Sequence, residues 1–317
     1  MLAPPATRIS QEEASLPRDG ITYTLKWDGY YHVLTATGHP SEDQALQFVD
    51  RAKAAVAWLL LQRGIAAEVD FTPQPIQYYP NPDEVGRNIA RSFGGAFAGP
   101  VDTIIQGCQT ALYPSEKRVR VETVFPAGVY TTIPIASALS LLVEGASFAC
   151  SAAVATDEKL NVALALYGAF FTEQSPKARF LTLIMALEAL ATATSKSRLA
   201  LELLAKWLAE IDELSRNESL SAEDLASLEA LQRELLFRQE DSVRSQIRKL
   251  VRTTLAHAED ADAAARDAVR LYDLRSTLVH EGTLDHQVLS EGTSAARTLV
   301  HRTLTARFKA LVGENTE

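Results

Sequence analysis

The chain has 317 residues, of which 47% are hydrophobic and 22% charged, and its formal net charge is −9. That length suits two ordinary domains, and that composition suits a globular protein. So acidic a surface does not grip nucleic acid indiscriminately, because such affinity comes from many lysines and arginines displacing counterions, and any RNA contact must therefore be local.

Residues 1–20 lack the apolar core of a signal peptide, and no uncharged apolar run approaches the roughly 18 residues of a membrane span. The expectation is an N-terminal tail on a cytoplasmic protein without membrane contact. Residues 21–27 and 30–37 then alternate in polarity and are rich in aromatic and β-branched side chains, with Asp28-Gly29 between them as the two-residue turn of a hairpin. Ser41 and Gln44 have the spacing of a capping box. The apolar pattern through Leu46, Val49, Ala57, Leu60 and Leu61 predicts a helix ending at Gly64.

Residues 65–71 read as a strand and 73–82 as a proline-punctuated loop, with Pro82 at the first position of a short helix. The glycines of 93–100 mark a turn. They are followed by no lysine-serine or lysine-threonine pair, so they do not make a phosphate-binding loop. Residues 101–105 and 118–125 read as further strands. The sum is an α+β domain over residues 21–130 in which no chemistry is recognisable. Cys108 and Cys150 sit in apolar surroundings without metal-ligand or redox spacing and read as buried thiols.

From residue 131 almost every window has helical period, which predicts an all-α domain over 131–312. The clearest helix covers 176–192, where Phe180, Leu183, Ile184, Leu187, Leu190 and Ala191 share a face and Glu188 lies on or beside it. Further helices are predicted over 196–214, 222–237, 241–256, 261–281 and 292–312. They form a helical bundle without solenoid repeats.

Within the fifth of these helices, Arg275 and His280 are five residues apart. Arginine holds a phosphate through two parallel charge-assisted hydrogen bonds, and histidine exchanges a proton near neutral pH. The spacing alone is weak. With 22 arginines and 6 histidines in the chain, about one such match is expected by chance, and a second copy does occur at Arg252 and His257. The flanks favour Arg275 and His280. Tyr272 and Asp273 precede the arginine, Ser276 follows it, and Gly282 closely follows the histidine.

This segment resembles the signature of the HEPN superfamily, specifically its ApeA-like domains, and residues 179–190 with Glu188 are similar to the family's early core helix. The resemblance covers roughly 155–312. It implies that an all-α HEPN-like bundle follows the α+β domain, and metal-independent RNA cleavage in defence or toxin roles, with no cofactor and no metal. By the same resemblance His280 serves as general acid or base and Arg275 stabilises the charged phosphorane, while Ser276 orients the phosphate or caps the local backbone. Two protomers then pack with their motifs facing across one cleft, which makes a homodimer the expected assembly.

Blander readings stand beside these. His280 suits a helix C-terminus, and Arg275 suits a carboxylate partner, either Glu188 or Asp273. Glu188, beside an apolar stripe, needs a cation, and Arg275 is the preferred one. Arg244, Arg248 and Arg252 recur every four residues as either a solvated basic face or candidate RNA-phosphate contacts. His257 and His301 read as surface residues, and His32 and His39 show no partner in the sequence. A bundle without catalytic activity, serving as an RNA-binding or protein-interaction module with the first domain as ligand or trigger sensor, is the alternative.

Overall fold

The computed structural model describes residues 6–27, 32–65, 70–73, 76–93, 99–106, 109–122, 130–216 and 220–313. Among them, a strand-bearing N-terminal part is followed by a helical one. The last strand, β9 (Tyr130–Ile133), gives way directly to α3 (Ile135–Ala146), where the sequence changes period. Beyond it the described residues hold helices and one isolated bridge, between Ser195 and Glu240. Contact density divides the chain at a different place. One compact unit comprises residues 1–175 with 307–316, and the other begins at Pro176 and runs to Ala306.

In the first unit β2 (Glu13–Arg18), β3 (Ile21–Trp27) and β4 (His32–Thr37) form an antiparallel sheet. Trp27 pairs with His32 at the closed end of the β3–β4 hairpin, and the Asp28-Gly29 turn itself lies outside the described residues. Residues 1–20 are not simply a tail. Besides β2, β1 (Ala6–Ile9) runs parallel to β9, and the Ser10 hydroxyl accepts a hydrogen bond from the Ile135 amide at 2.9 Å. The pairing of β1 joins residues more than 120 positions apart, which local pattern cannot reveal.

Helix α1 (Glu42–Arg63) starts on Ser41, whose side chain accepts from the Gln44 amide, and ends at Gly64 in the left-handed region. Its apolar face packs on α3. At that crossing a Cβ on Gly145 would sit 2.7 Å from the Ala55 Cα, so only glycine permits the approach. Tyr23, Leu25, Ala55, Leu59, Ile135, Leu139 and Leu142 belong to the core there. Two short parallel pairs complete the strands: β5 (Asp70–Pro73) with β7 (Gln109–Thr110), and β6 (Thr103–Gln106) with β8 (Val119–Glu122). Pro82 opens α2 (Pro82–Phe93). Helices α4 (Ser151–Thr156) and α5 (Glu158–Thr172) follow α3.

Cys150 is exposed, which corrects its reading as a buried thiol. It stands in the turn just before α4, as the residue that caps that helix rather than one on a buried face. Cys108 lies outside the described residues.

The second unit holds α6 (Pro176–Leu190), α7 (Arg198–Ser215), α8 (Ala222–Phe237), α9 (Val243–Thr254), α10 (Ala261–Glu281) and most of α11 (His286–Val312). Helix α6 buries Phe180, Leu183, Ile184 and Leu187 as its period requires, and it packs against α9 and α10. Helix α11 begins six residues before the expected Gly292. That glycine is buried inside it, with the Leu274 and Phe180 side chains 3.4 and 3.5 Å from where a Cβ would stand. Among the described residues no helix is long and apolar enough to cross a membrane.

Candidate functional site

Helix α10 is rich in alanine, and its buried side repeats at Ala264, Ala268, Leu271 and Leu278. The next slot in that alternation of four and three residues is position 275. An arginine stands there instead of an apolar residue, so its guanidinium enters the seam against α6. An unpaired cation there is costly, and Glu188 on α6 answers it. The Arg275 Nε lies 3.3 Å from the Glu188 Oε1, with the two side chains 28% and 23% exposed. The Nε–H is misaligned for a hydrogen bond, so the contact is an ion pair without one. The guanidinium carbon also sits 6.0 Å from the centre of the Tyr272 ring, one turn back.

Asp273 has a different partner. It accepts two hydrogen bonds from Arg244 on α9, Nε to Oδ1 and Nη2 to Oδ2, both at 2.9 Å. The Arg244 guanidinium holds the Asp273 carboxyl below its ordinary range, and the carboxylate in turn raises the pKa of Arg244. Arg244 is thereby removed from a free basic stripe, while Arg248 and Arg252 remain exposed on α9. Lys249 is tied to Asp241, which also accepts from the Thr194 hydroxyl at 2.9 Å. This fastens the segment after α6 to the start of α9.

Helix α10 continues through His280, which is exposed in its last turn, and Gly282 closes it at φ 72° with its amide donating to the Leu278 carbonyl. The Gly282 carbonyl in turn accepts from the Lys177 Nζ at 2.9 Å, which ties the end of the motif helix to the start of α6. Because the helix is unbroken, Arg275 and His280 are separated by a rise of about 7.5 Å and a rotation of about 140°. His280 instead shares a face with Ser276 and Asp273, and so with the Arg244–Asp273 pair. The two side chains of the motif therefore stand on different faces of α10. The guanidinium is held in a helix seam by Glu188, and the imidazole stands in solvent with a hydroxyl one turn behind it.

The second copy of the spacing is built differently. Helix α9 ends at Thr254, and His257 lies exposed in the turn beyond. Arg302 on α11 makes a two-pronged pair with Asp260 at 2.9 and 2.7 Å. In the first unit, the His32 Nε2 lies 3.1 Å from the Ser10 carbonyl, and the His39 ring packs on Phe48 at 5.5 Å. Both histidines thus have partners that the sequence did not reveal. Burial, followed by the nearby Arg51, lowers the pKa of His39.

No protein-family model matches the chain, and no curated protein or solved structure matches it either.

Proposed function

We propose that this chain is a cytoplasmic, metal-independent endoribonuclease of the HEPN type that cleaves RNA in a defence or toxin role, with its site completed by a second protomer. The observation that carries the reading is the motif helix. It offers a proton-exchanging imidazole at an exposed helix end and an arginine held in a fixed place by Glu188, both within the segment that resembles the family signature. In the reaction His280 takes the proton of the ribose 2′-hydroxyl or gives one to the leaving 5′-oxygen. Arg275 from the facing protomer stabilises the charge on the phosphorane. Ser276 positions a phosphate oxygen, and Arg248 and Arg252 hold flanking phosphates.

The test is incubation of purified protein with RNA in EDTA. Cleavage leaving 2′,3′-cyclic phosphate or 3′-phosphate ends is expected, with DNA and 2′-O-methyl RNA intact because the attacking hydroxyl is absent. No cleavage, even with the biological trigger supplied, rejects the proposal. A second reading, a non-catalytic RNA-binding or protein-interaction bundle with the first unit as sensor, draws support from the two carboxylates that already occupy Arg275 and Arg244. Binding of RNA without cleavage is its signature.

A further inference from the structure

In a chain of net charge −9, α9 carries four cations, Arg244, Arg248, Lys249 and Arg252, and no carboxylate. Arg244, Arg248 and Arg252 recur every four residues and so line one side of the helix. That side runs beside α10. A short connection joins the end of α9 to the start of α10, and the Arg244–Asp273 pair fastens the first turn of α9 to the second half of α10. The two helices therefore form an antiparallel hairpin with a groove between them.

The α10 wall of the groove has its own pattern. Arg266, Asp273 and His280 follow one another at steps of seven residues, close to two full turns, and so fall on one line. Arg266 and His280 stand on either side of the Arg244–Asp273 pair, each about 10.5 Å from Asp273 along the axis, with Ser276 between Asp273 and His280. Toward the turn of the hairpin lie Arg248, Arg252 and Arg266, all exposed and none in an ion pair among the described residues. Arg270 beside them is offset by Asp267 at 3.6 Å, and Asp262 marks the far end. Asp273, the carboxylate at the middle of the line, is neutralised by the two-pronged bond from Arg244.

Three guanidiniums without carboxylate partners, in a row that leads to a hydroxyl and an imidazole, fit a linear polyanion. We infer that this groove is the track on which the RNA strand lies. Arg266 grips the backbone together with Arg248 and Arg252, on one side of the bond that His280 addresses, and Asp273 keeps Arg244 out of the grip. The identity of the strand as RNA rests on the ribonuclease reading, whereas the track itself requires only backbone phosphates. Contacts of this kind position a strand without reading its bases, so affinity depends on salt far more than on sequence.

Fluorescence anisotropy of a labelled 2′-O-methyl oligoribonucleotide, which carries the phosphates but no attacking hydroxyl, tests the inference over a range of salt. Affinity should fall linearly with salt on logarithmic axes. Arg248→Gln, Arg252→Gln and Arg266→Gln should each flatten the slope by about 0.7, the value for one neutralised phosphate of a single strand. Lys206→Gln, which removes an exposed cation from α7, should leave the slope as it is. Asp273→Asn frees Arg244, and should steepen the slope by a similar amount and tighten binding. Circular dichroism should be unchanged throughout, since each of these side chains is exposed. No binding at low salt, an effect of Lys206→Gln equal to that of the arginine variants, or binding to phosphatidylserine vesicles with none to the oligonucleotide overturns the inference. Binding with these slopes by a protein that leaves RNA uncut keeps the track and rejects the nuclease. Cleavage by a protein whose affinity is indifferent to the three arginines does the reverse.

Discussion

Arg275–His280 and Arg252–His257 have identical spacing and opposite settings. The first lies wholly inside α10, with its arginine in the seam against α6 and its histidine on the last turn. The second straddles the end of α9, with both side chains in solvent. What separates them is the slot the arginine occupies. Position 275 continues the buried alternation of Ala264, Ala268, Leu271 and Leu278, so the fold must supply a carboxylate. Position 252 lies off the buried line of Ile247 and Val251, and nothing is demanded of it. Partial burial constrains one member of the first pair and neither member of the second.

The sharpest way to break the comparison is to remove the two histidines in turn. His280→Ala should abolish RNA cleavage with unchanged circular dichroism, whereas His257→Ala should cleave at the parent rate. Equal losses from both would erase the distinction. Next in size, Arg275→Lys should cut cleavage by at least about tenfold, because an ammonium does not reproduce the planar two-pronged grip on phosphate. Arg252→Lys should change it little. Initial rates at saturating RNA read both.

A smaller effect is expected on stability. Glu188→Ala strands the Arg275 cation in the seam, but both side chains keep about a quarter of their surface in water, so the cost is about 1 kcal/mol, well short of that of a fully buried pair. Urea denaturation measures it, and a cost near zero would mean that Arg275 is not fixed by Glu188. The smallest effect concerns acid. The bond from Arg244 lowers the folded-state pKa of Asp273, so its stabilising contribution is complete above the ordinary carboxylate range and is lost as pH falls through the folded-state value. Arg244→Ala should flatten that part of the pH–stability curve, and a curve identical to the parent's would mean that the pair contributes nothing in solution.

Much of the fold was legible because its cues are local. The Ser41 cap, the Gly64 terminator, Pro82 at a helix start and the α6 stripe each lie within a few residues of what they determine. The pairing of β1 with β9 was not legible, because its partners are remote and the strands are only four residues long. At the site, the Glu188–Arg275 pair could be read from the cost of a carboxylate beside an apolar stripe. The choice of Arg244 by Asp273 could not, since it depends on the register between α9 and α10. The helix over 261–281 was legible in its period, and its unbroken course to Gly282 is what sets the two groups on different faces.

That division makes a mixing experiment the most direct test of a shared site. Arg275→Ala and His280→Ala proteins, each inactive alone, are combined under conditions that exchange subunits and assayed on RNA in EDTA. Half of the mixed dimers' sites then pair an intact Arg275 from one protomer with an intact His280 from the other, so cleavage should return to a substantial fraction of the parent rate. Cleavage that stays absent in the mixture, while the parent protein is active under the same conditions, would contradict a site built across two protomers.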